Sequence, residues 1–134
     1  MKKLIILALL AVLAFTGTAF ATPDTLAVQT CAVTSITPSF AAVDDDSVLV
    51  PNNGATLVEF KNTNGATRTL TIYSQLPAKE GYTVTNGSVT LDATTGDELI
   101  GPFAQSVWSN TNGYVLIVLS ATTNVTVAVF KLNR

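Results

Sequence analysis

The sequence has no histidine, one cysteine and few charged residues, which make up 12% of the chain. Without histidine, the chain has no Ser-His-Asp or Cys-His catalytic group, and zinc loses one of its main protein ligands. A glycine-rich phosphate-binding loop is also missing from the sequence. We therefore expect a protein without enzyme activity and without a cofactor.

Acidic side chains are the remaining catalytic candidates, because a pair of carboxylates is sufficient for glycoside hydrolysis. The candidates for such a pair are Glu59, Glu80, Asp92, Asp97 and Glu98. The sequence does not place these residues relative to one another, and acidic residues of a small domain usually lie in solvent. The sequence therefore favours solvated surface positions for these residues.

Basic residues are also scarce. Residues 22–134 contain five Lys and Arg against nine Asp and Glu, which gives a formal net charge of −4. A nucleic-acid-binding surface needs clustered Lys and Arg to neutralise phosphates, and the sequence has no such cluster. We therefore expect no nucleic acid among the partners of this protein.

The first 21 residues have the pattern of a secretory signal peptide. Lys2 and Lys3 precede the apolar run Leu4–Phe15, and small residues stand at Ala19 and Ala21. This order predicts cleavage after Ala21. The alternative is an uncleaved anchor, but the apolar run is short for a span of about 20 residues. We expect the mature chain to be secreted, extracellular or at the cell surface (periplasmic if retained), and free of the membrane.

Cys31 is the single cysteine, so an intramolecular disulfide is excluded. Two interpretations of this residue remain open. A lone cysteine often serves as a small buried apolar residue. In an oxidising compartment it can instead form a disulfide with the same cysteine of a neighbouring subunit.

After residue 21 the sequence lacks helical periodicity and is rich in strand-forming residues. Asn-Gly pairs, which favour tight turns, begin at Asn53, Asn64, Asn86 and Asn112. The pair at Asn86 in particular predicts a hairpin. Short strands between regularly spaced turns predict an all-β fold, a single β-sandwich (jelly-roll or Ig-like) of about eight antiparallel strands.

The predicted organisation has three parts. Residues 1–21 form the signal peptide, residues 22–46 an N-terminal extension with one strand, and residues 47–134 the β-sandwich domain. The strand of the extension lies within Leu26–Ile36. It can pair within its own domain or complete the sheet of a neighbouring copy by strand addition.

Two apolar runs near the end of the chain are predicted to pair as a hairpin at the centre of the fold. Every residue of Tyr114–Leu119 is apolar, so both faces of this strand should be covered. Val125–Leu132 alternates, but its second face is only weakly polar. We expect copies of the chain to cover this excess apolar surface. The residues predicted to mediate self-association are Trp108, Tyr114, Leu116, Val118, Ala128 and Phe130.

Two further ligand sites are considered. Asp44, Asp45 and Asp46 offer oxygen ligands for calcium, but successive side chains point in different directions. A charged loop that protects an edge strand is the favoured interpretation of these three residues. Aromatic side chains can stack on sugar rings, and a core or interface role is the alternative. The aromatic candidates are Tyr73, Tyr82, Trp108 and Tyr114.

Four motifs between Asp46 and Leu132 carry a resemblance to a known family. They are Val50-Pro51-Asn52-Asn53-Gly54, Thr56–Asn62, Ile100-Gly101-Pro102-Phe103 and Val125–Phe130. In these motifs the chain resembles small all-β phage-head decoration-type proteins. The resemblance implies a non-enzymatic protein that packs on a lattice of identical subunits. The signal peptide departs from that family, because a phage head assembles in the cytoplasm.

These features predict a non-catalytic, secreted structural subunit that self-assembles into an extracellular filament, sheath or surface coat. Sheet faces and edges are the expected contacts between copies. Two alternatives remain open: a phage virion or capsid decoration protein, and a carbohydrate-binding β-sandwich module.

Overall fold

The computed structural model describes residues 22–32, 35–76 and 85–132 as an all-β sandwich. The predicted fold class is thus confirmed, while the predicted signal peptide lies outside the described residues. The elements are β1 (Asp24–Thr25), β2 (Val28–Thr30), β3 (Ala41–Ala42), β4 (Ser47–Pro51), β5 (Thr56–Asn62), β6 (Arg68–Ile72), β7 (Gly87–Leu91), β8 (Gly96–Ile100), α1 (Gln105–Trp108), β9 (Tyr114–Leu119) and β10 (Val125–Lys131). Within these ranges, no helix is long and apolar enough to cross a bilayer.

The strands form two mixed sheets. Sheet A has the order β1-β4-β9-β6-β7, and sheet B has the order β2-β10-β5-β8 with β3 also paired to β10. Most neighbours are antiparallel, but β1 is parallel to β4 and β2 is parallel to β10. The prediction of about eight strands, all antiparallel, is therefore corrected. The N-terminal residues contribute the additional short strands and both parallel pairs.

The core lies between the sheets and is formed by alternate residues of each strand. In β5, Val58 and Phe60 are fully buried, whereas the residues that follow them, Glu59 and Lys61, are only half-buried. In β6, Leu70 is fully buried in the same way. This period of two is expected for strands that cover a core with one face.

The prediction that the two C-terminal apolar runs form a hairpin is wrong. β9 lies in sheet A and β10 lies in sheet B, so the chain crosses between the sheets after Leu119. Both strands thereby turn apolar residues toward one shared core, which removes these residues from water. The core residues that they contribute are Val115, Ile117, Leu119, Val125, Val127 and Val129.

The tight turn predicted at Asn86-Gly87 is not formed, and residues 81–84 of the predicted hairpin lie outside the described residues. Gly87 begins β7 and pairs with Ile72, and it does not have the positive φ that a type I′ turn requires. A Cβ at residue 87 would lie 3.3 Å from Cδ1 of Ile72 and 3.5 Å from the Trp108 ring. The glycine therefore permits close packing at the edge of sheet A, which the Asn-Gly pattern does not indicate.

Residues 24–30 close the same side of both sheets. β1 extends sheet A beside β4, and β2 then extends sheet B beside β10. Leu26 lies between these two strands and is buried in the core. The strand predicted within Leu26–Ile36 thus pairs inside its own chain, and the N-terminal residues are part of the sandwich.

Candidate assembly surface

The outer face of sheet A carries a continuous apolar surface. Directly opposite residues of paired strands point to the same side of a sheet, so the register assigns each outward position. Leu49 lies opposite Leu116, and the Tyr73 N–H donates to the Leu116 carbonyl at 3.0 Å on the other side. Pro51 lies opposite Tyr114 in the neighbouring row. We call this surface the sheet A strip; its members are Leu49, Pro51, Tyr73, Tyr114, Leu116 and Val118.

The sheet A strip is uncharged and partly open to solvent. Every member is at least partly exposed, and Tyr73 reaches 37%. The other outward positions of β4, β6 and β7 hold only hydroxyl side chains, namely Ser47, Thr69, Thr71, Ser88 and Thr90. The outer face of these strands therefore offers no charge that would oppose contact with another protein.

Strand β9 is the reason that this face is apolar. A sheet with one solvated face usually alternates apolar and polar residues. In β9 the inward residues are buried, yet the outward residues Tyr114, Leu116 and Val118 are also apolar and only half-buried. The fold of one chain thus covers one face of β9 and leaves the other face partly uncovered.

The outer face of sheet B is different, because its outward residues on β10 are buried. Ala128 is 3% exposed and Phe130 is 5% exposed, although both point away from the core between the sheets. Ser39, which precedes β3, lies beside Gln29 of β2 and borders a cavity together with Ala128. The Gln29 amide exchanges two hydrogen bonds with the backbone of Ser39, at 2.8 and 2.9 Å.

An ionic cluster on the outer face of sheet B contacts Phe40, which precedes β3. Lys61 lies 3.1 Å from a Glu59 carboxylate oxygen and 3.2 Å from one of Asp97. Its Nζ also lies 4.5 Å from the centre of the Phe40 ring. The hydrogen bond to Glu59, followed by the one to Asp97, raises the pKa of Lys61 above its ordinary value of 10.5.

The six residues predicted for self-association therefore do not share one surface. Tyr114, Leu116 and Val118 lie on the sheet A strip, whereas Ala128 and Phe130 are enclosed on the opposite side of the sandwich. The prediction that these residues form the second apolar face of one hairpin is therefore wrong. The physical reason is that β9 and β10 belong to different sheets, so their outward faces point in opposite directions.

Trp108, the sixth of these residues, lies at the end of α1 and packs partly buried against the core. It borders a cleft of about 220 Å³ together with Ile72, Ile100 and Phe103. This position is at the side of the sandwich where β7 and β8 approach each other. Of the other sugar-stacking candidates, Tyr73 and Tyr114 lie on the sheet A strip, and Tyr82 lies outside the described residues.

The calcium and disulfide candidates occupy separate positions. In the described ranges, no three acidic, cysteine or histidine side chains are arranged to hold a metal ion, so Asp44, Asp45 and Asp46 are not brought together as ligands. Cys31 is half-buried, and its N–H donates to the Lys131 carbonyl at 3.0 Å. The intersubunit disulfide stays a prediction. Of the carboxylates considered for catalysis, Glu59 and Asp97 are joined through Lys61.

An open cavity of about 400 Å³ lies at one end of the sandwich, next to the sheet A strip. Apolar walls come from Val28, Pro51 and Tyr114. Polar groups come from Asn53, Asn112 and Lys131, together with Thr56 at its floor. The cavity is large enough for a small ligand.

Half of the sheet A strip was not predicted from the sequence. Leu49, Pro51 and Tyr73 join it only through the register of β4 and β6 with β9. Alternation in β4 does indicate which residues share a face, but it does not indicate that β4 lies beside β9. The missing information was the strand order.

Comparison with known proteins adds no relative: the chain matches no family model, no curated protein and no solved structure. The resemblance to phage-head decoration-type proteins therefore stays a prediction from the four sequence motifs.

Proposed function

We propose that this protein is a non-catalytic, secreted structural subunit that associates with copies of itself through the sheet A strip. The observation that supports the proposal is the uncharged apolar outer face of sheet A, which one chain leaves partly exposed. Contiguous exposed apolar patches of soluble proteins usually mark interaction sites. A second copy presents the same uncharged strip and can cover it.

The exported location of the subunit rests on the N-terminal sequence pattern. A basic start, an apolar run and small residues before position 22 direct secretion, with removal of residues 1–21. The mature chain then reaches the cell exterior as a mildly acidic protein. It builds a filament, a sheath or a surface coat from identical subunits.

The proposal is tested with the secreted protein by sedimentation velocity and electron microscopy. We expect the wild-type chain to form oligomers at micromolar concentration. Leu116→Lys places a charge at the centre of the strip, and it should yield a folded chain that no longer associates through the strip. The matched control is Leu99→Lys, because Leu99 is 59% exposed and lies on the other sheet, opposite Glu59. This control should assemble as the wild type does.

Two outcomes would contradict the proposal. One is a wild-type chain that stays monomeric over the whole micromolar range. The other is a Leu116→Lys chain that assembles as strongly as the Leu99→Lys chain. Circular dichroism of each variant shows whether the fold is retained, so a loss of assembly is not confused with unfolding.

A carbohydrate-binding function is the second candidate, and the end cavity of about 400 Å³ favours it. Tyr114 offers a ring for stacking, while Asn53, Asn112 and Lys131 offer hydrogen-bond donors. Calorimetric titration with soluble polysaccharides tests this function. Binding that Asn112→Ala weakens at least tenfold would support it, and the absence of heat with the wild type would exclude the sugars used.

A further inference from the structure

The segment formed by residues 22–30 holds the edges of both sheets with few side-chain contacts. β1 pairs with β4 over two residues and β2 pairs with β10 over three. Leu26 is the one buried side chain of this segment, and the remaining residues are exposed or half-buried. Its attachment therefore depends on backbone hydrogen bonds, on the buried Leu26, on the partial packing of Val28 and on the two hydrogen bonds of the Gln29 amide.

Two cavities border this segment. The end cavity of about 400 Å³ reaches Val28 and Lys131 on one side of β2. A second cavity of about 150 Å³ lies between the segment and β10, bordered by Leu26, Gln29 and Val127. A strand that pairs over only two or three residues and has solvent beside it is held less firmly than a core strand.

Symmetry supplies a reason for a second contact between copies. When two identical faces meet around a two-fold axis, the contact closes into a dimer. A filament or a coat needs an additional head-to-tail contact, in which different parts of two copies meet. The edges of β4 and β10 and the segment that covers them are two such parts.

We infer that residues 22–30 of one copy take the place of the same residues in a neighbouring copy, pairing in parallel with its β4 and β10. The inference rests on the proposed self-association and names its directional contact. Leu26 of the donor fills the core site that Leu26 of the acceptor vacates. The native contacts of residues 22–30 are kept in the exchange, so its free-energy cost comes from the change of chain path after residue 30 and from bringing two copies together. An extended segment that adds to a sheet edge is a common mode of peptide recognition.

The inference predicts a specific covalent product. Thr30 and Lys131 are partners in the parallel pairing of β2 with β10, and both are exposed. The secreted triple variant Thr30→Cys, Lys131→Cys, Cys31→Ser is assembled and then treated with a short bifunctional maleimide. After exchange, each link joins two chains, so a denaturing gel should show a ladder of multimers. Chains with only one of the introduced cysteines are the control and should give dimers at most.

Each result decides between the two proposals. A ladder supports strand exchange. A single monomer band from material that sediments as large particles overturns strand exchange and leaves the proposed function standing. A wild-type chain that stays monomeric overturns both.

A peptide competitor gives an independent measurement. A synthetic peptide with the sequence of residues 22–30, added in molar excess to the wild-type chain, should occupy the edges of β4 and β10. We expect the large particles to be lost while contacts through the sheet A strip persist as dimers. The same peptide with Leu26→Asp lacks the apolar anchor and should have no effect. Equal effects of the two peptides, or no effect of either, would contradict strand exchange.

Discussion

At the scale of single residues, buried asparagines determine how the turns are built. Asn62 is 1% exposed at the end of β5. Its side-chain N–H groups donate to the carbonyls of Ala66 at 3.0 Å and Asp92 at 2.9 Å, and its oxygen accepts the Asn64 N–H. One amide thus makes hydrogen bonds to the backbone of two separate turns, at residues 62–66 and at Asp92. The motif Asn-Thr-Asn-Gly indicates only the turn at residues 62–66.

Asn62→Asp should be strongly destabilising. The carboxylate keeps the hydrogen bond from the Asn64 N–H but turns its second, negative oxygen toward two carbonyl oxygens, where it has no donor. We expect a loss of about 3 kcal/mol in the free energy of unfolding, measured by urea denaturation. Asn64→Asp is the matched control, because its oxygen only accepts the Ala66 N–H and should leave stability nearly unchanged. Equal effects would refute the role assigned to Asn62.

The ion pairs of Lys61 should make the free energy of unfolding depend on pH. Its pKa is raised in the folded chain by hydrogen bonds to Glu59 and then Asp97. A raised pKa means that the stabilisation is fully present below the unfolded value of 10.5 and is lost as the pH rises through the folded value. Compared with Lys61→Met, the wild type should therefore lose stability more steeply above pH 10.5. Parallel curves for the two proteins in that range would contradict this assignment.

At the scale of elements, β9 and β10 show how the same composition leads to different environments. Both strands have apolar residues on both faces. The outward residues Ala128 and Phe130 of β10 are buried, whereas the outward face of β9 stays partly open. Strand sequence predicted that each second face would be covered. It did not predict which one the chain itself would cover.

This difference predicts opposite results for two similar substitutions. Phe130→Lys places a charge at a position that is 5% exposed, so we expect a loss of about 3 kcal/mol or more in the free energy of unfolding. Leu116→Lys, at a half-buried position, should retain most of the stability and lose assembly instead. Thermal unfolding and sedimentation velocity measure the two effects. A stable Phe130→Lys monomer would show that Phe130 belongs to an interface.

At the scale of the whole molecule, assembly combines an uncharged face with a chain of net negative charge. Apolar burial is the main attraction across the sheet A strip, and its strength declines on cooling because it is entropic near room temperature. The formal charge of −4 on residues 22–134 opposes association and is screened by salt.

The assembly should therefore weaken on cooling and strengthen with salt. Light scattering of the secreted protein, followed from room temperature toward the freezing point, should show a reversible loss of large particles. Sodium chloride should favour the particles at every temperature. Dissociation by salt would contradict the apolar interface, because it would mean that ion pairs hold the copies together.

The sequence by itself determined the all-β class and the excess of apolar residues near the C-terminus. These features depend on local period and composition, which the order of residues contains directly. Tertiary structure alone decided the strand order. The strand order places β9 and β10 in different sheets, and it brings Leu49 and Tyr73 next to Leu116. Contacts between strands far apart in sequence depend on how all apolar faces are buried at once, and no local pattern encodes that.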